Sequence, residues 1–117
     1  MLSVPAHIIL LAEQLCANSN MKHKMSAVVY NKNDVLGQGW NRWLRVGKSY
    51  ACLYGRPVRS IHAEVAALRW AIRKHGHQKL YGASIYVHRQ NGRYAKPCTH
   101  CWQTAELLGI SEINWSG

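Results

Sequence analysis

The sequence predicts an α/β fold, with a mixed, mostly parallel sheet of about four strands and helices on both of its faces. Strand-like and helix-like segments alternate along the chain, which is typical of sheets joined by crossover helices. Apolar residues recur at helical spacing in some segments and form short runs typical of strands in others. The 117 residues suffice for one hydrophobic core. We therefore expect residues 1–117 to form a single domain.

The first half of the chain predicts a helix, a hairpin and a long loop. Residues 6–17 carry apolar side chains at helical spacing, at Ile8, Leu11, Ala12 and Leu15. Residues 26–30 and 35–41 are short apolar segments separated by Asn31, Lys32, Asn33 and Asp34, a composition typical of a tight turn. Residues 42–60 exceed the usual length of a connection, which favours a functional or partly structured loop.

The second half predicts two helices and two strands. Ser60 is a plausible N-cap for a second helix, whose apolar positions are Ile61, Val65, Leu68 and Ile72. Residues 83–88 are apolar enough for a central strand. Pro97 suits the first position of a third helix, because it has no amide hydrogen to leave unpaired. Residues 110–115 predict the last strand.

Two segments place histidine, glutamate and cysteine at the spacing of a zinc site. His62 and Glu64 fall at the start of the second helix, and Cys98 and Cys101 fall at the start of the third. One imidazole and two thiolates make three ligands, which leaves the fourth tetrahedral position for water or substrate. An open position of this kind indicates catalysis. A closed structural zinc, completed by His100 or Cys52, is the alternative.

Glu64 is the expected catalytic base. Residues i and i+2 do not share a helix face, so His62 and Glu64 can serve one site only beyond the helix end. From there the carboxylate can accept a proton from the water at the metal and return protons to the reacting groups of a substrate.

The pattern His-x-Glu followed by Pro-Cys-x-x-Cys resembles the zinc nucleobase deaminases. Residues 39–42 are similar to bacterial tRNA adenosine deaminases. Residues 85–89, 95–98 and 109–110 are more similar to deoxycytidylate-type and virus-encoded members. The resemblance implies the cytidine deaminase fold, a zinc cofactor and the nucleobase deaminase reaction.

The resemblance also implies substrate contacts. Asn41 matches the asparagine that relatives use to hold the base or sugar, and the amide of Ala63 would assist it; a plain turn residue is the alternative for Asn41. Arg42 belongs to the same motif. His88 and Arg89 follow the third strand near the expected site. Some deoxycytidylate-type relatives carry extra zinc ligands before the histidine, which makes Cys52 a possible accessory ligand.

The chain is strongly basic, with 15 Lys and Arg against 5 Asp and Glu and a formal net charge of +10. This balance favours phosphorylated or polyanionic partners. The loop of residues 42–60 combines cations with aromatic side chains, at Arg42, Trp43, Arg45, Lys48, Tyr50, Tyr54, Arg56 and Arg59. A second basic loop contains Arg89, Arg93 and Lys96. We expect these loops to attract phosphate, although a solvated loop with its aromatics packed on the core is the alternative.

Three functions are compatible with these features. The first is hydrolytic deamination of cytosine in a nucleoside or nucleotide, with a nucleotide such as deoxycytidylate favoured by the charge. The second is deamination of cytosine or adenine within single-stranded DNA or tRNA. The third is a zinc-containing nucleic-acid-binding module without catalysis, which would require a fourth protein ligand.

The sequence also predicts a cytoplasmic location and a homo-oligomer. No apolar run is long enough to span a membrane, and no signal peptide is recognisable. Cysteines at metal spacing favour a reducing compartment, and Cys16 falls on an apolar helix face that suits a buried thiol. Family members usually continue into a fifth strand, so a fourth strand at the sheet edge would favour pairing with another copy.

Overall fold

The computed structural model describes residues 4–43 and 60–117, together with the backbone of residues 52–53 and 56–57. Three helices and four longer strands form the domain in the order α1 (Ala6–Cys16), β1 (Met25–Asn31), β2 (Asp34–Trp40), α2 (Ala63–His75), β3 (Ser84–Arg89), α3 (Thr99–Leu107) and β4 (Glu112–Trp115). Four two-residue strands lie between β2 and α2. Arg42–Trp43 pairs with Ser60–Ile61, and Cys52–Leu53 pairs with Arg56–Pro57. The predicted long loop is therefore partly structured.

The four long strands form one mixed sheet in the order β2-β1-β3-β4. β1 is antiparallel to both of its neighbours, and β3 is parallel to β4. Three strands thus share one direction, while only one of the three pairings is parallel. The reason is that the crossover through α2 returns the chain beside β1 rather than beside β2. Sequence patterns predicted the mixed sheet but not that β3 lies beside β1.

Helices cover both faces of the sheet, as predicted. Ala27 and Val29 of β1 belong to a core with α2 and α3, whereas Val28 and Tyr30 belong to a core with α1. This alternation follows from the two-residue period of side chains along a strand. No helix among the described residues combines the length and apolar character needed to cross a membrane.

Two glycines let α2 lie unusually close to β2. A Cβ atom on Gly37 would meet the carbonyl oxygen of Ala67 at 2.5 Å, and one on Gly39 would meet the Ala67 nitrogen at 2.5 Å. Side chains cannot be accommodated at such distances without movement of the backbone. The glycines and the buried Ala67 and Ala71 therefore fix the distance between helix and sheet, and with it the position of the residues that begin α2.

Candidate metal centre and active site

His62 is the N-cap of α2, immediately before the first helical residue Ala63. The predicted N-cap, Ser60, lies instead in the two-residue strand that pairs with Arg42–Trp43. This cross-loop pairing continues the extended backbone as far as Ile61, so the helix begins later than the local sequence suggests. The imidazole of His62 consequently lies at the end of the helix.

Cys98 is the N-cap of α3, and its Sγ accepts a hydrogen bond from the backbone N–H of Cys101 at 3.4 Å. Pro97 therefore precedes the cap instead of occupying the first helical position. Helix N-termini carry unpaired N–H groups and partial positive charge, which stabilise a thiolate. The two metal-binding segments therefore lie at the N-termini of α2 and α3, and these two helix ends lie next to each other.

The ligand atoms of His62, Cys98 and Cys101 all lie within 4.8 Å of one another. His62 Nδ1 is 3.2 Å from Cys101 Sγ and 3.8 Å from Cys98 Sγ. A tetrahedral zinc with ordinary bond lengths would separate nitrogen and sulfur ligands by about 3.6 Å. The observed distances lie on either side of that value, so the three side chains are positioned to form a zinc site.

Within the described residues, the cluster contains these three donors and no fourth protein ligand. His100 lies between the two cysteines in sequence but is outside the cluster. The side chain of Cys52 lies outside the described residues. A three-donor set is typical of catalytic zinc sites, whereas structural sites are closed by four protein ligands.

Glu64 lies in the first turn of α2 and is 5% exposed. Burial raises the pKa of the Cys101 thiol, and the nearby Glu64 carboxylate raises it further. Glu64 is therefore near the Cys101 thiol without belonging to the three-donor group. A buried carboxylate in this position can exchange protons with a group held beside the metal.

These features agree with a comparison against protein families. The model described as the cytidine and deoxycytidylate deaminase zinc-binding region matches residues 5–116. The chain belongs to this family. No curated protein sequence matches it significantly.

Solved structures show the same fold. The apo dCMP deaminase from the cyanophage S-TIM5 is 23% identical with a TM-score of 0.67, and the alignment covers 93% of this chain and 81% of that one. The same enzyme in complex with dCMP and dUMP is 21% identical with a TM-score of 0.67, over 96% and 85%. Guanine deaminase from Bacillus subtilis is 16% identical with a TM-score of 0.63, over 97% and 65%. The fold is therefore the one that the motifs implied.

Asn41 is buried at the end of β2, where its side-chain amide binds the segment between α1 and β1. Its Oδ1 accepts hydrogen bonds from Ser19 Oγ at 2.6 Å and from the Met25 N–H at 3.0 Å. Its Nδ2 donates to the His23 carbonyl at 2.7 Å. Within the part of the chain that the structure describes, Nδ2 donates one of its two hydrogens, so the expected substrate contact stays a prediction beside a clear positioning role.

Arg42 and Ala63 are both near His62, the first through strand pairing and the second along the chain. Arg42 pairs with Ile61 in the short antiparallel ladder, and its side chain is exposed. Ala63 is buried and is the first residue of α2, where backbone N–H groups have no intrahelical acceptor. Ala63 follows the ligand His62 in the chain, whereas Arg42 is brought near it by pairing with Ile61, and the substrate contacts of both remain predictions.

His88 lies on the α1 face of the sheet and is 4% exposed. Its Nδ1 is 2.9 Å from Tyr86 Oη, and its Nε2 is 3.3 Å from Glu13 Oε1. Because α2 and α3 lie on the other face, these contacts place the imidazole in a polar cluster beneath α1. Sequence reasoning missed Glu13, whose signal was only an acidic residue next to the apolar stripe of the first helix.

Arg89 is the next residue of β3, and its guanidinium contacts His23. The Arg89 Nη2 atom is 2.7 Å from His23 Nδ1. The Arg89 N–H also donates to Ser116 Oγ at 3.0 Å. Sequence reasoning identified Arg89 but missed His23 and Ser116, which become neighbours only through the pairing of β1 with β3 and the return of β4.

Much of the predicted basic and aromatic loop lies outside the described residues. This concerns the side chains of Arg45, Lys48, Tyr50, Tyr54, Arg56 and Arg59. Trp43 is described and is 54% exposed.

Proposed function

We propose that this chain catalyses hydrolytic deamination of the cytosine base of a mononucleotide, deoxycytidylate being the preferred substrate. The observation that carries the proposal is the group of three ligands, His62, Cys98 and Cys101, beside a buried carboxylate. This donor set fits zinc and leaves a coordination position for chemistry. The cyanophage dCMP deaminase crystallised with dCMP and dUMP has the same fold, which supports the choice of substrate class.

A zinc ion held by the three ligands would supply an activated water for attack at C4 of the ring. Glu64 would accept one proton from that water and deliver it to ring nitrogen N3. It would then carry the second proton to the leaving amino group. The C4–N bond breaks, a C4–O bond replaces it, and the products are the corresponding uracil nucleotide and ammonia.

The neighbours of the metal cluster would hold the substrate. The second hydrogen of Asn41 Nδ2 would donate to the sugar or base, and the N–H groups at the start of α2, including that of Ala63, would face groups with negative charge. Arg42 and Arg89 would supply positive charge for the phosphate. His88 would act through the sheet, since both of its ring nitrogens have protein neighbours.

Three broader features belong to the same proposal. Residues 1–117 would act as one deaminase domain in the cytoplasm. In the described residues β4 lies at one end of the sheet with a partner on only one side. Edge strands of this kind favour pairing or burial, so we propose a homo-oligomer.

The test is a substrate panel with the zinc-loaded protein. Ammonia release would be measured for cytidine, deoxycytidine, their 5′-monophosphates, guanine, single-stranded DNA and tRNA. We expect the highest kcat/KM for a cytosine mononucleotide. Activity confined to DNA or tRNA, with a steep dependence on salt, would replace the mononucleotide by a polynucleotide. Absence of ammonia release from every substrate would refute the enzymatic function.

A further inference from the structure

A basic cavity of about 140 Å³ lies between the α1–β1 connection and the segment that follows β3. Its lining residues are all polar or charged: Lys22, His23, Lys24, Arg89, Gln90, Asn91 and Arg93. None of them is acidic, and none is a metal ligand. Ligand pockets for whole drug-sized molecules usually measure about 300–1,000 Å³. The cavity is therefore suited to a small anionic group rather than to a base and its sugar.

The two walls of the cavity are held together by backbone contacts. Met25 pairs with Arg89 in the antiparallel ladder of β1 and β3. Beyond that pair, the Gln90 N–H donates to the Lys24 carbonyl at 3.0 Å. The basic residues on both sides are thereby placed next to one another by the sheet.

Two buried or half-buried side chains hold the backbone of the cavity walls through hydrogen bonds. Asn41 Nδ2 donates to the His23 carbonyl at 2.7 Å, which holds the first wall. Glu13 Oε1 accepts the Asn91 N–H at 2.8 Å, which holds the second. Asn91 has a positive φ of 65°, so this bond stabilises a backbone shape that few residues adopt. A site held in place beforehand loses less conformational entropy on binding.

The contact between Arg89 and His23 sets the chemistry of the cavity. A guanidinium has only donors, so His23 Nδ1 at 2.7 Å must be an acceptor. Neutral His23 then carries its hydrogen on Nε2, where it can donate to an anion. The Lys24 ammonium is already bonded to the Ser19 carbonyl. Its other two N–H groups and its charge remain available, so Lys22, Lys24, Arg89 and Arg93 are the cations that can neutralise a bound dianion.

We propose that this cavity binds the phosphate of the nucleotide substrate, an inference that rests on the proposed function. Asn41 connects the cavity with the metal cluster. Its side chain holds His23, which lines the cavity. The next residue in the chain, Arg42, pairs with Ile61, which precedes the metal ligand His62. Charge-assisted hydrogen bonds from arginine are well suited to phosphate oxygens. The cavity would thus distinguish a nucleotide from a nucleoside, with Asn41 and Glu13 acting as positioning residues.

The experiment compares binding of deoxycytidylate and deoxycytidine by calorimetry to the zinc-loaded Glu64→Gln protein, which should not convert them, and the arginine changes are made in the same background. We expect the nucleotide to bind at least about tenfold more tightly. In Arg89→Gln and Arg93→Gln this ratio should fall by about tenfold or more. Arg73→Gln, which removes the same charge from an exposed position of α2, should keep the ratio of the Glu64→Gln protein.

The two proposals fail in different ways. Deamination of nucleotides with an unchanged binding ratio in both arginine variants would remove the phosphate site and leave the enzyme. A reduced ratio without ammonia release from any substrate would keep the cavity as a nucleotide phosphate site and remove the enzymatic function. A further measurement tests whether inorganic phosphate competes with deoxycytidylate for the cavity. If it binds the cavity but does not compete with deoxycytidylate, the bound phosphate is not that of the substrate and the proposal is overturned.

Discussion

Each face of the sheet holds a histidine and a carboxylate, but the two pairs differ in what surrounds them. On the side of α2 and α3, His62 Nδ1 faces two thiols and Glu64 is buried beside them. On the side of α1, His88 has Tyr86 at one ring nitrogen and Glu13 at the other. Among the described residues, His62 belongs to a group of three metal donors and His88 does not. The sequence predicted both histidines as site residues, and the side chains that contact them differ.

Local surroundings, more than residue type, distinguish the histidine positioned for a metal from the histidine whose ring nitrogens both contact protein side chains. Helix ends present unpaired N–H groups and space, whereas a position under a packed helix is filled by hydrogen-bond partners. His62 and Cys98 are both N-caps, whereas His88 is a buried residue of β3 on the face covered by α1. Variants on both faces test this distinction.

The largest effect is expected for Glu64→Gln. The amide retains the shape of the side chain but cannot accept and return a proton, so ammonia release should fall by about 10²–10⁴-fold. Zinc content and thermal stability should change little. Glu106→Gln, at an exposed position of α3, is the matched control and should retain activity. Full activity of Glu64→Gln would rule out its role as the proton carrier.

Removal of a metal ligand should come next. His62→Ala takes away one of three donors, so zinc affinity should fall by more than the roughly 10–100-fold typical of residues that only support a ligand. His88→Gln should bind one zinc per chain as tightly as the unmodified protein. The zinc content of each variant after dialysis, measured by atomic emission, tests this difference. Equal zinc loss in the two variants would contradict the difference between the faces.

Gly39→Ala should destabilise the side of the sheet that carries the metal. The added Cβ would meet the Ala67 nitrogen at 2.5 Å and force α2 away from β2. Overpacking of this kind costs about 1–3 kcal/mol in free energy of unfolding. Gln38→Ala, the neighbouring position in β2, should cost less than about 0.5 kcal/mol. Denaturant unfolding of both variants measures the contrast, and equal stability would show that α2 can move without cost.

The smallest effect concerns pH and the α1 face. Burial raises the pKa of Tyr30 above its ordinary value of 10.0, with Glu112 adding to the rise. The unfolded chain therefore loses the phenol proton first, so stability present below pH 10 should be lost as the pH rises through and beyond that value. Tyr30→Phe should weaken this loss. An unchanged pH dependence of the unfolding free energy would show that Tyr30 does not contribute.

The sequence was sufficient for the elements and for the metal ligands. Helical spacing around Ile8 and Leu68, the hairpin before Asn41 and the two cysteines at Cys98 and Cys101 are all local signals. The ligands were predictable because zinc requires a small set of residue types at a fixed spacing. Their convergence follows because β2 and β3, although separated by β1, run in the same direction, so the segments after them reach the same edge of the sheet.

The sequence was insufficient wherever distant segments decide the local structure. Ser60 was expected to cap α2, but its pairing with Trp43 keeps the chain extended until His62. The surroundings of His88 depend on Glu13, which is far away in sequence and reaches the imidazole only because α1 covers that face. The order of strands likewise depends on where the crossover through α2 returns. Contacts of this kind have no local signature.

The most direct test of the open metal site is X-ray absorption at the zinc edge of the metal-loaded protein. The account predicts two sulfur neighbours from Cys98 and Cys101, one nitrogen from His62, and one further light atom that exchanges when substrate is added. A centre with four protein donors, or a protein that takes up no zinc, would contradict it.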